Sequence, residues 1–130
     1  MIVWKGKKTV QLYSLNIEGF RKHTDTKIIF SDSTFLIGEN NVGKSSILYA
    51  LEYLLGASQS ISLDEFYSLE EDGEKRIAVD KIVFTAEFHK IPPEASSWRG
   101  FKGRLLNYEA DKNDPTDTGI KFIYRKTYPK

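Results

Sequence analysis

A chain of 130 residues with 40% apolar and 13% aromatic side chains carries enough material for one folded core. Its 19 Lys plus Arg balance 18 Asp plus Glu to a formal charge of +1, so no overall field draws it to nucleic acid or a membrane surface. The lack of cysteine excludes disulfides and thiolate metal sites.

The first element is strand-like: in VQLYSLNIEGF, residues 10–20, Tyr13, Leu15 and Ile17 alternate onto one face. A basic turn at residues 21–25 leads to a second strand near residues 27–30. SDS at 31–33 has turn chemistry, and STFLIG at 33–38 reads as a short buried strand. From Lys44 the period changes, because Ile47, Leu48, Leu51, Leu54 and Leu55 share one face of an amphipathic helix that Gly56 would stop. Residues 57–76 are polar, serine-rich and then acidic, and predict a loop with a short helical turn at 64–67. In KIVFTAEFH, residues 81–89, Ile82, Phe84, Ala86 and Phe88 face one way and Lys81, Thr85, Glu87 and His89 the other, which predicts a half-exposed strand. Pro92 and Pro93 open a possible helix through Ala95, Trp98, Phe101 and Leu105, weakened by Gly100 and Gly103. DKNDPTDTG, residues 111–119, signals a loop or hairpin before a last alternating strand at 120–128.

The chemistry sits in GENNVGKS, residues 38–45, which fits G-x-x-x-x-G-K-[ST] in full. Gly38 and Gly43 let the loop curl, so that the backbone N–H groups of Asn40, Asn41, Val42 and Gly43 point at phosphate oxygens. The following helix aims its positive end at the same place. Lys44 would bridge the outer phosphates, Ser45 would ligand Mg²⁺, and Ser46 completes the loop that holds ATP. The alternative is a glycine-rich turn carrying a surface lysine. The order strand, loop, helix argues for the phosphate, and the expected fold class is an α/β P-loop domain with the P-loop at 38–46.

A GTPase would carry D-x-x-G and N-K-x-D, but no glycine here has Asp three residues before it and no Asn is followed by Lys. The strand, GFRKH, a second strand and FLIGENNVGKSSILYALEYLLG instead resemble the N-terminal end of the ABC-type ATPases of the SMC, RecF and OLD (overcoming lysogenisation defect) group. Glu39, Asn40 and Asn41 resemble the OLD side, and ISLDEFYSLEEDGEKRIAVDKIVFTAEF resembles its continuation. The resemblance implies a partial ABC-like head, with a mixed β-sheet and the P-loop helix packed on it. It implies that Arg21, Lys22 and His23 contact the nucleotide, against the alternative of a solvated basic turn. In the full protein it implies an acidic motif and signature further on, a second head as homodimer partner, and a nuclease domain acting on DNA in repair or phage defence.

The acidic motif of a working ATPase is not met within these residues: in IAVDK, Asp80 is followed by Lys81 where Glu is required. Asp64 is a candidate for the metal region or, more simply, a helix N-cap. His23 and His89 show no metal-ligand spacing. Two rival readings stay open. One is a non-catalytic nucleotide-binding assembly module, and the other a DNA-binding role for Lys5, Lys7 and Lys8. MIVWKGKK has no apolar run of signal-peptide length, so a cytoplasmic location without membrane contact is expected.

Overall fold

The computed structural model describes residues 2–4, 8–30, 42–57, 59–97 and 101–130. Its strands are β1 (Ile2–Trp4), β2 (Lys8–Phe20), β3 (His23–Ile29), β4 (Ser68–Glu71), β5 (Glu74–Ile77), β6 (Lys81–His89), β7 (Leu106–Asn107) and β8 (Ile120–Pro129). One α-helix, α1 (Val42–Leu55), and two short 3-10 turns, Leu63–Glu65 and Pro93–Ser97, complete the described elements. Six strands form one sheet in the order β1-β2-β6-β8-β7, with β3 also paired to β2, while β4 and β5 form a separate two-stranded sheet.

The sheet is mainly antiparallel, where a mixed sheet was expected. β1 pairs antiparallel with β2 at Ile2 opposite Val10, and β7 with β8 at Leu106 opposite Lys121. A parallel neighbour needs a long crossover, normally a helix, and among the described residues only α1 has that length. The buried strand expected at 33–38 lies outside the described residues.

The chain divides into two compact units, Met1–Leu15 with Ala86–Tyr124, and Asn16–Thr85 with Arg125–Lys130. In the second, Phe20, Tyr53, Phe84 and Tyr128 form an aromatic core. Phe20 meets Phe84 edge-on at 5.1 Å between centroids, and Tyr53 meets Tyr128 edge-on at 5.9 Å. Such pairs contribute about 0.5–1.5 kcal/mol each beyond their burial. Ile17, Ala50, Leu54, Phe66 and Ile82 are fully or almost fully buried in the same unit. One buried polar atom there, the Thr85 hydroxyl oxygen, has no hydrogen-bond partner among the described residues.

In the first unit the His89 ring lies between two others, 3.9 Å from Tyr13 and 4.1 Å from Tyr108. His89 also hydrogen-bonds the Glu87 carboxylate. The expected outward face of β6 is therefore covered at His89, and Val83 is buried as well. Phe101 packs edge-on against Phe122 at 4.6 Å.

Helix α1 buries Ala50 and Leu54, whereas Leu55, expected on the same face, is 53% exposed. Neither its first nor its last turn carries the charge that would complement the helix dipole there. The C-terminal end is served from β8: Lys126 Nζ donates to the Tyr53 and Gly56 carbonyls at 3.0 and 3.1 Å, and the Tyr128 hydroxyl donates to the Tyr53 carbonyl at 3.0 Å. These bonds satisfy carbonyls that a helix end leaves without partners.

Candidate functional site

The residues expected to form the site fall into two groups. Gly38, Asn40 and Asn41 lie outside the described residues. The backbone of Val42, Gly43, Lys44, Ser45 and Ser46 is helical and forms the start of α1. No carboxylate occurs in this first turn. The first turn itself therefore adds no negative charge at the positive end of the helix, a condition that favours an anion there.

Arg21 and Lys22 make the two-residue turn between β2 and β3, and His23 is the first residue of β3. Arg21 adopts φ 53°, the left-handed region that a residue with a Cβ visits at a cost. Its main-chain N–H donates to the Glu65 carbonyl at 2.7 Å. Its guanidinium donates Nε and Nη2 to the two carboxylate oxygens of Glu65, both at 3.0 Å. The same group lies 4.5 Å from the centroid of the Tyr49 ring and 5.1 Å from that of Phe20. A partly buried fork-to-fork pair of this kind, stacked on aromatic faces, is among the stronger polar contacts a small domain makes.

The Glu65 charge also acts on Tyr53 of α1. Burial and the Glu65 carboxylate both push the Tyr53 phenol above its ordinary value. His23 shares a 3.0 Å hydrogen bond between Nδ1 and the Thr26 hydroxyl. Burial, and then the nearby Arg21 charge, lowers its ring below the ordinary value, so the imidazole is neutral at physiological pH.

The structure thus brings Arg21 together with Tyr49, Tyr53 and Glu65, three residues that sequence reasoning passed over. The signal for Glu65 was the Asp-Glu-Phe segment, where Asp64 drew attention instead. Asp64 is not the N-cap but the second residue of the turn Leu63–Glu65: Ser62 is the N-cap and accepts from the Asp64 N–H. Asp80 lies just before β6, and its carbonyl accepts from the Lys130 N–H. Among the described residues no group of three His, Asp or Glu side chains is arranged to hold a metal ion. No helix among them is long and apolar enough to cross a membrane.

Comparison with known proteins adds the family. A stretch of 50 residues is 44% identical to the Old nuclease of Escherichia phage P2, covering 38% of this chain and 8% of that protein. The chain therefore spans only a small part of the relative it matches. Residues 11–127 match the AAA ATPase domain, so the chain belongs to the AAA ATPase domain family.

Proposed function

We propose that this chain is the ATP-binding N-terminal portion of an OLD-type ATPase. The observation that carries the reading is GENNVGKS at residues 38–45 running into α1 at Val42, with no opposing carboxylate in the helix's first turn. Membership of an ATPase family and the partial likeness to the Old nuclease support it. In this reading the main chain of residues 40–43 cradles the phosphates, Lys44 bridges the β- and γ-phosphates, and Ser45 ligands Mg²⁺. The residues 1–130 form the front part of an ABC-type head, and the acidic motif, signature and nuclease chemistry belong to other parts of a longer protein. Dimerisation of two heads, contact with DNA, and a role in repair or phage defence belong to that longer protein too.

The test is a thermal-shift titration with Mg-ATP. Wild type is expected to gain stability with nucleotide and the Lys44→Ala variant to gain none. Equal protection of both proteins would remove Lys44 from the site and with it the assignment. Steady-state hydrolysis by the longer protein separates a working ATPase from a non-catalytic assembly module, which would turn over no ATP even with DNA present.

A further inference from the structure

We infer that Arg21 is a positioning residue: clamped by Glu65 and stacked on Tyr49, it fixes α1 against residues 62–67 and so holds the start of that helix ready for nucleotide. The inference rests on the nucleotide-binding reading above and gives Arg21 a different role from the direct contact that sequence resemblance implied. The backbone of Arg21 is held at φ 53°, an unfavourable setting for a side chain of its size. It persists because several bonds fix it together: the main-chain bond to Glu65 at 2.7 Å and the two guanidinium bonds at 3.0 Å.

The segment that supplies Glu65 is itself tied to the end of β2. Tyr67 N–H donates to the Gly19 carbonyl at 2.8 Å, and Phe66 bridges to Phe20 as an isolated antiparallel pair. Segment and strand end therefore act as one jaw. The other jaw is α1, gripped at Tyr49 by the guanidinium face, with Tyr53 in the field of the Glu65 carboxylate. These two positions are one helical turn apart on the same side.

Tyr49 is 48% exposed, so the stack there is not core packing. A rigid 14-residue helix moves as a rod, and a slip of the gripped side displaces Gly43, Lys44 and Ser45 at its start. Phosphate recognition by main-chain N–H groups tolerates little such displacement. Arg21 has what this task needs, a planar fork and a flat cationic face, and lysine has neither.

Three variants test the clamp: Arg21→Lys, Glu65→Gln, and the two combined. Tyr49→Leu at its half-exposed position is a fourth that leaves the ion pair untouched. Two measurements are made on each, hydrogen exchange of the α1 amides without nucleotide and the Mg-ATP dissociation constant by calorimetry. Every variant is expected to exchange faster along α1 and to bind about five- to tenfold more weakly, with the double variant no worse than either single one. Unchanged α1 exchange in all variants would overturn the clamp. So would weaker binding in Arg21→Lys beside unchanged or tighter binding in Glu65→Gln, because that pattern marks an arginine touching the nucleotide directly. A wild type that takes up no Mg-ATP would refute the nucleotide reading, while the exchange data would still decide whether Arg21 positions the helix.

Discussion

Gly19 shows how one position is dictated by its surroundings. It sits at φ 75°, and a Cβ added there would stand 2.7 Å from the Lys81 carbonyl oxygen and 3.2 Å from a Val79 methyl. A side chain meets two obstacles at once, a backbone setting that L residues resist and a main-chain atom that cannot swing away. Gly19→Ala is expected to cost at least about 2 kcal/mol, read as a lower urea midpoint at unchanged slope. Arg21, two residues on, accepts the left-handed setting that Gly19 takes freely. The resemblance to the ABC-type ATPases marks Arg21 as noteworthy through its place after the first strand. It could not reveal Glu65, which is 44 residues away and meets Arg21 only once the chain has folded. Charge-pair partners chosen by tertiary contact leave no periodic trace, and that is why half of this site was illegible beforehand.

At the scale of elements, the loop between β7 and β8 is built from side chains that bond their own backbone. Asp111 accepts from the Asn113 N–H at 2.9 Å, and Asp114 from the Thr116 N–H at 2.9 Å. Asp117 accepts from the N–H groups of Asp111 and Gly119. The Lys90 ammonium reaches Asp114 at 2.8 Å. That contact, followed by the Thr116 bonds, holds the Asp114 carboxyl down to about 2 from an ordinary 3.8. Burial works to raise Asp117, but the bonds from the Asp111 N–H, the Tyr108 hydroxyl and the Gly119 N–H outweigh it and leave that group lowered as well. Because the folded value of Asp114 lies below the unfolded one, its contribution is complete above about pH 4 and is lost as the pH falls towards 2. Urea midpoints measured from pH 5 to pH 2 are expected to fall more steeply for wild type than for Asp114→Asn. Equal slopes would mean that Lys90 gains nothing from the carboxylate. The loop and β8 were legible because Asp, Asn, Pro and Gly cluster next to a clean alternation. The β4 and β5 hairpin was not. Its Asp72-Gly73 turn, with φ 52° and 79°, is the two-residue turn such a pair favours. Its flanking side chains are exposed or only half-buried, so no apolar period announced the strands.

At the scale of the whole molecule, the α/β expectation finds its helix in α1 and gives way for the sheet, which is mainly antiparallel. Period-two alternation identifies strands such as β6 and β8 but carries no information about the direction of their neighbours. Nucleotide binding would register globally as well as locally. At a free concentration one hundred times the dissociation constant, Mg-ATP stabilises the folded state by about 2.7 kcal/mol, and the Lys44→Ala variant is expected to show no such gain. The Thr85 hydroxyl has a consequence on the same scale. It is buried from water and has no partner among the described residues, an uncompensated dehydration at that spot. Valine has nearly the same outline, keeps the branched shape suited to a strand, and brings no oxygen to dry out. Thr85→Val is expected to raise the melting temperature, with a gain of about 1 kcal/mol, and a drop on calorimetric scanning would show that this oxygen has a bonding role in solution.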